Sequence, residues 1–484
     1  MGEFFQLQDL VVIAPELTLT GFGLLLLIFD LVTENKKALA WLGLVGIVVA
    51  VFLVLRLGDI NVTAYGGQLA VDPFAGYFKL MVLIGAGLSI GMAPKYLDIE
   101  QEQHAEFYAL ILFATMGMMF MAGGADLVTL YIGLETMAIA TYVLVGFLRR
   151  SARSNEASLK YFLLGAFSSG VLLYGMSLLY GVSGSTSLVE IASALADRGV
   201  ADPISLLALV AVSSGLFFKI AAVPFHQWTP DAYEGAPTPV AAYMSVAVKA
   251  ASFAMMARIL MIAVYPLREQ WTPMLAAVAV MTITVGNIAA LTQTNVKRLL
   301  AYSSISHAGF VLLGLIAAGS TVPYNETGMT AVVMYLFVYT FMNLGAWGVV
   351  VALRRQGVSG ENIDDLDGLF FRHPFAAVLM LIFMLSLAGI PPTAGFVAKY
   401  YLFASVIETG HTTVAVIAAL NVAVGLYYYI RVVVAMFVNE ATERTGLTLS
   451  GGLVSVLAIT IFLTLLMGIY PDPFIDLARQ AAVF

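Results

Sequence analysis

The sequence predicts an all-α polytopic membrane protein with about 14 transmembrane helices, two of them broken. Three observations predict this. Hydrophobic residues make up 61% of the 484 positions and charged residues only 11%, with a mean hydropathy of +0.93; a soluble domain carries about 25% charge. Apolar runs near the length of about 20 residues that spans a bilayer recur along the whole chain. Two of those runs meet prolines, at Pro224 and at Pro391-Pro392. A proline removes a helical donor and frees a carbonyl.

In chain order the candidate spans lie near 11–30, 39–57, 74–93, 106–123, 127–148, 159–181, 203–224, 238–264, 274–293, 299–319, 330–353, 374–405, 412–437 and 451–470. Ser303, Ser304, Ser306 and His307 dilute the tenth, and the double proline breaks the long twelfth. No stretch reads as a soluble domain; the longest connections run to about 20 residues. The N-terminus MGEFFQLQDL has no basic n-region and no small-residue cleavage site, so the first span is expected to be retained. Lys and Arg sort the loops. Lys36, Lys37, Lys95, Arg149, Arg150, Arg153, Lys297, Arg298, Arg354, Arg355, Arg372 and Arg444 fall in odd-numbered loops; Arg56, Arg198, Arg268 and Arg479 fall in even loops or the tail. The positive-inside rule then puts the odd loops in the cytoplasm and both termini outside.

The stretch 219–249 concentrates the chemistry. An apolar helix carries Lys219, reaches Pro224 and is expected to stop there, leaving the Ile220 carbonyl without its helical donor. A polar turn follows, and a second apolar helix carries Lys249 near its centre. Lysines within spans face protein or water and are functional candidates. Glu135 is the clear carboxylate inside a span, and with Lys219 it would form a pair in which each favours the other's charge. That pair reads either as a separable switch or as a static lock between helices. Lys249 reads as a mid-membrane relay or as a snorkelling side chain. Lys399, seven residues after Pro392, reads as a proton exit site or an interfacial lysine, beside carbonyls of Leu387 and Ala388 freed by the prolines. His307, among Tyr302 and the three serines, could hold water between the two halves or be a histidine satisfied locally. Lys160 follows a basic cluster, so a role at the interface competes with one in the path. Lys79, Arg258 and Arg431 read as structural pairs or interface anchors, and the methionines between Met116 and Met121 as packing.

The chain has no cysteine, which removes disulfides and cysteine-ligated iron–sulfur clusters. His104, His226, His307, His373 and His411 are far apart in sequence, so no haem or metal pair is read from them. The net charge of −7 is spread over loops and indicates no nucleic-acid partner. A faint internal echo links Asp126-Leu-Val-Thr to Asn295-Val-Lys-Arg, and Gly235-Ala-Pro-Thr-Pro…Lys249 to Gly389-Ile-Pro-Pro-Thr…Lys399. Separated by an odd number of spans, the two units would be inverted, the arrangement of transport proteins with paired broken helices.

These segments resemble an antiporter-like subunit of the respiratory proton-pumping NADH:quinone oxidoreductase. The likeness is carried by Leu134-Glu135-Thr-Met, Val223-Pro224-Phe-His226-Gln-Trp228-Thr-Pro230-Asp231-Ala-Tyr-Glu234-Gly235, Lys297-Arg298-Leu-Leu-Ala-Tyr302-Ser-Ser-Ile-Ser306-His307 and Pro391-Pro392-Thr-Ala-Gly395-Phe-Val-Ala-Lys399. It implies an N-terminal three-helix segment (1–105), two inverted five-helix units (106–264 and 265–437), each with one broken helix, and a C-terminal span and tail (438–484). It implies a Glu135–Lys219 pair, a central relay at Lys249, Lys399 in a second half-channel, and His307 on the axis joining them; Lys160, His226 and Tyr302 are further candidates. Within the family the lysine in the twelfth span resembles subunit N, where subunit M has glutamate, and the long lateral helix of subunit L is not expected. Implied partners are subunit M, the small membrane subunits K, J and A, and the lipid bilayer. NADH, FMN, iron–sulfur clusters and quinone would be bound by partner subunits, with none in this chain. The implied location is a bacterial inner membrane. The competing readings are a subunit of a Na⁺/H⁺ antiporter or membrane-bound hydrogenase complex, which share the motifs, a stand-alone solute transporter, and a purely structural scaffold, against which the central lysines argue.

Overall fold

A computed structural model describes residues 7–484 apart from 35, 59, 200, 201, 356–359 and 441–445. Arg444 and the first six residues of the N-terminal reading therefore lie outside the described residues. The membrane-length helices are α1 (Ala14–Val32), α2 (Lys37–Arg56), α3 (Pro73–Glu100), α4 (Ala105–Gly123), α5 (Leu127–Val145), α6 (Ala152–Ser183) and α7 (Pro203–Ile220). A short α8 (Trp228–Gly235) follows α7. Then come α9 (Thr238–Ala263), α10 (Arg268–Leu291), α11 (Val296–Ala318) and α12 (Glu326–Leu353). The twelfth predicted span is divided into α13 (Pro374–Ala388) and α14 (Ala394–Glu408), and α15 (Thr412–Phe437) and α16 (Gly451–Ile469) complete the bundle. Among the described residues thirteen helices are long and apolar enough to cross a membrane. The tenth, despite its serines and histidine, is one uninterrupted helix. The all-α polytopic class holds; among the described residues sheet is limited to one small hairpin, Val62–Ala64 with Leu69–Val71.

Burial sorts the helices. α9, α11 and α12 are 94% buried over their apolar windows, while α1, α15 and α16 are about a third buried or less. The charged residues of interest therefore sit on or beside the least lipid-exposed helices. Close packing requires small residues: a Cβ on Gly117 would lie 2.6 Å from the Gly133 carbonyl, so only glycine allows α4 and α5 to approach this closely.

Both breaks use the same backbone device. α7 ends where Ala221 adopts a left-handed conformation (φ +62°), with Ala222 N–H donating to Phe217 O at 2.8 Å and Ala221 N–H to Phe218 O at 3.0 Å. α13 ends at Gly389 (φ +86°), with Ile390 N–H donating to Leu385 O and Gly389 N–H to Ser386 O, both at 3.0 Å. This is a left-handed helix cap. It corrects the expectation that Pro224 itself stops the helix: the chain has turned three residues earlier, and the proline keeps the turn from returning to helix. The echo of Asp126 with Asn295 also has a backbone counterpart. Each caps the N-terminus of its helix and forms an isolated antiparallel bridge, to Ser187 and to Asn362 respectively.

Three cations read as structural hold the bundle's edges. Arg258 donates to both oxygens of Asp72 at 2.8 Å and to Ala122 O at 2.6 Å, with both side chains almost fully buried. Lys79 meets Glu16 at 2.7 Å, a buried carboxylate in the first span beyond the one singled out in the sequence. Arg431 donates to the Leu291 and Gln293 carbonyls at the end of α10. Removing one partner of a buried pair strands the other charge. Arg258→Met is therefore expected to cost about 3–5 kcal/mol. Asp72→Asn with Arg258→Met should recover most of that, since asparagine keeps the cap on Ala75 N–H. Thermal unfolding midpoints of the purified complexes check both.

Candidate functional site

A row of buried polar groups runs through the middle of the bundle. It begins at Lys219, whose Nζ is buried without a hydrogen-bond partner among the described residues. Its ammonium lies 5.9 Å from the Tyr142 ring centroid and 5.8 Å from that of Phe218. Glu135 on α5 is near enough to act on it electrostatically but makes no ion pair within 4.0 Å, and one of its carboxylate oxygens is likewise buried and unpartnered. The two are thus neighbours across a gap rather than a closed pair. The Tyr142 hydroxyl, also buried and unpartnered among the described residues, belongs to the same region.

Lys249 occupies the centre. It is 3% exposed, and its Nζ donates to the Ser304 carbonyl on α11 at 2.5 Å. The preceding residues, Met244–Val248, form a π-helical turn. Ser245 in that turn donates to Ala242 O and accepts from Asn343 of α12 at 2.7 Å, fastening the irregular turn to its neighbour. Such turns are frequent at functional sites, and nothing in the apolar sequence marks this one.

His307, one turn along α11 from Ser304, is held by residues the sequence did not single out. Nδ1 pairs with the Tyr335 hydroxyl at 2.6 Å and Nε2 with the Tyr429 hydroxyl at 3.1 Å; Tyr429 also meets Ser303 at 2.5 Å. The Tyr339 ring lies 4.9 Å away. The Ser304, Ser306, Tyr233 and Tyr339 hydroxyls are buried and unpartnered among the described residues; groups of this kind suit water. His307 is within electrostatic reach of both Lys249 and Lys399. Lys399 ends the row, donating to the carbonyls of Leu387 and Ala388 at 2.9 and 2.8 Å, the two freed at the break, with the Phe310 ring 5.1 Å away.

The further candidates lie elsewhere. Tyr302 is half-buried and stacks under Arg298, away from His307. His226 sits in the turn between α7 and α8, half-buried. Lys160 is an exposed member of a charge chain, pairing with Glu156 at 2.7 Å and Asp231 at 3.0 Å. From Asp231 the chain alternates in sign: to Arg298, Glu234, Arg153, Glu361 and Lys297. It borders a polar cavity of about 330 Å³ lined by Glu234, Lys297, Arg354 and Glu361. The sequence showed Arg153, Lys297 and Arg298 as loop charges that set orientation. Their pairing was invisible there because the partners come from α6, α8, α11 and a loop far apart in the chain.

This bundle, with its two broken helices and its row of buried lysines, defines an antiporter-like membrane subunit. Residues 124–425 match the family model described as NADH:quinone oxidoreductase/Mrp antiporter, TM. NADH-quinone oxidoreductase subunit N 1 of Koribacter versatilis is 52% identical, over 98% of this chain and 95% of that one. Among solved structures, a chain of respiratory complex I from Thermus thermophilus with bound aureothin superposes with a TM-score of 0.81 at 32% identity, covering 96% of this chain and 99% of that one. A chain of the Mrp complex from Dietzia sp. DQ12-45-1b has a TM-score of 0.82 at 21% identity, covering 99% and 97%, a likeness of fold alone. The chain belongs to the subunit N family of NADH-quinone oxidoreductases.

Burial alone would raise the Glu361 carboxyl, but Lys297 and Arg153 outweigh it and hold the group below its ordinary value of 4.5. A lowered carboxylate contributes stability above its unfolded value, and that contribution is lost as pH falls through the lowered one. Glu361→Gln is therefore expected to lower the unfolding midpoint at neutral pH. Its deficit against wild type should shrink steadily once the pH drops below the ordinary carboxylate range, and parallel pH titrations of the two midpoints check this.

Proposed function

We propose that this chain carries protons across the membrane through two half-channels, joined by the Lys219, Lys249, His307 and Lys399 axis. The observation that carries the proposal is Lys249, mid-span and 3% exposed, seated on a main-chain carbonyl one helical turn from a histidine that senses both it and Lys399. In this reading Glu135 and Lys219 are the first switch. When the carboxylate comes closer the ammonium is stabilised, and when it withdraws the proton is free to move to Lys249. Lysine suits that task because, unlike arginine, it can give up its proton. His307, bracketed by Tyr335 and Tyr429, passes charge towards Lys399. The repeated cap at Ala221 and Gly389 and the repeated bridges of Asp126 and Asn295 support two inverted units, 106–264 and 265–437.

The energy comes from electron transfer between NADH and quinone in partner subunits, which hold FMN and the iron–sulfur clusters. Subunit M is the proposed neighbour, with the small subunits K, J and A beyond it, in a bacterial inner membrane with both termini outside. The 52% identity to a subunit N favours this over a Na⁺/H⁺ antiporter or membrane-bound hydrogenase setting.

Two variants test the axis. Glu135→Gln should assemble yet pump protons poorly; native gels and proton uptake in vesicles separate the two effects, and full pumping would remove the switch. Lys249→Arg keeps the charge and should also assemble and pump poorly. Wild-type pumping per electron in that variant would make Lys249 a fixed charge and end the relay reading.

A further inference from the structure

We infer that Lys297 is a positioning residue for the central lysine, fixing the helix of Lys249 against the helix that receives it. The inference rests on Lys249 being a relay, and its mechanical part is tested separately below.

Ala236 closes α8, and its own N–H donates to Ala232 O at 3.0 Å. Ala236 precedes Pro237 and is extended (ψ 155°), so its carbonyl belongs to neither helix. The first N–H groups of the next helix go to Pro237 O instead, with Val240 N–H at 2.8 Å. The link thus leaves the Ala236 carbonyl without a helical donor at the start of the helix that carries Lys249. Lys297 supplies one: its Nζ donates to Ala236 O at 2.7 Å. Lys297 is 1% exposed, so this is not a solvated loop charge that happens to reach a carbonyl.

The same side chain is anchored from behind. Glu361 faces its ammonium at 3.2 Å through one oxygen and Arg153 of α6 at 3.1 Å through the other. Main-chain bonds hold Glu361 against the start of α11, where Val296 N–H donates to Glu361 O at 2.6 Å and Ile363 N–H to Thr294 O at 2.8 Å. The ammonium is therefore fixed relative to α11 and grips the link that leads into α9.

Lys297 and Ser304 are seven residues apart on α11, about two turns and roughly 10 Å of rise. The two helices are thus attached at two heights, at one end by Lys297 to Ala236 O and at mid-span by Lys249 to Ser304 O. One attachment leaves sliding and rotation free; two set the register. Loss of the first would leave the 2.5 Å contact of Lys249 as the sole polar tie described between α9 and α11. A relay displaced by even a fraction of a helical step loses its hydrogen-bonded route, and misplacement of about 1 Å can cost a reacting group on the order of 100-fold.

The experiment uses the whole complex in proteoliposomes. Lys297→Met should assemble, keep NADH oxidation, lower proton pumping at least about tenfold, and raise hydrogen exchange in backbone amides of residues 236–249. Lys297→Arg, which can serve both Ala236 O and Glu361, should restore pumping and protection. Unchanged pumping in Lys297→Met would overturn the inference, and so would lost pumping with unchanged exchange, which would make Lys297 a conductor instead. If Lys297→Met does not assemble, Glu361→Gln makes the test: it removes the anchoring charge but leaves an oxygen for Lys297. Weaker pumping with raised exchange in 236–249 supports the inference, and wild-type values of either overturn it. Raised exchange in Lys297→Met together with normal pumping in Lys249→Arg would separate the two ideas: the helix lock would stand and the relay would fall.

Discussion

An ammonium group in a water-poor membrane interior must be given oxygen, and in this protein the oxygen comes mostly from the main chain. Lys249 rests on Ser304 O, Lys399 on Leu387 O and Ala388 O, and Lys297 on Ala236 O. Regular helices have few carbonyls to spare. The bundle supplies two of these sites by interrupting its helices, at the left-handed cap of Gly389 and at the extended link of Ala236. Lys249 instead reaches a carbonyl of the unbroken α11, from a helix whose preceding turn is π-helical. At the two breaks the freed carbonyls and the buried ammonium groups satisfy each other.

Lys219 is the exception, and the contrast is informative. It has no carbonyl and no hydrogen bond among the described residues, only aromatic faces and the field of Glu135. A cation held by a charge across a gap responds to movement of that charge far more than one held by two carbonyls. The first half of the row is thus electrically adjustable and its end at Lys399 is mechanically fixed. His307 stands between them, its two nitrogens both occupied by tyrosine hydroxyls.

The alternating chain from Lys160 to Lys297 adds a second layer. Its members come from α6, α8, α11 and the loop of Glu361, so it clamps the short helix α8 between the two proposed units. Exposed pairs such as Lys160 with Asp231 contribute little individually. Glu361 and Lys297, buried at the inner end of the chain, give the clamp its rigidity. Because Lys297 also holds the Ala236 carbonyl just before α9, the clamp abuts the helix that carries Lys249.

The amino-acid sequence by itself determined the class, the spans and the rare charges within them. Apolar run length and the cost of ionised groups in lipid are local properties, readable without any contact. It also marked both breaks, since proline acts on its own backbone, though it put the first break at Pro224 instead of Ala221. Only the tertiary structure decided which partners complete each charge. Tyr335 and Tyr429 were among 22 tyrosines with nothing to distinguish them until packing brought them to His307. Tyr302, close in sequence, faces Arg298 instead because successive helical residues point to different sides. Lys297 and Arg153 looked like solvated loop charges, since the sequence carries no sign that Glu361 folds back over the start of α11. Burial and pairing depend on which distant segments meet, and that is set by the packing of the whole bundle.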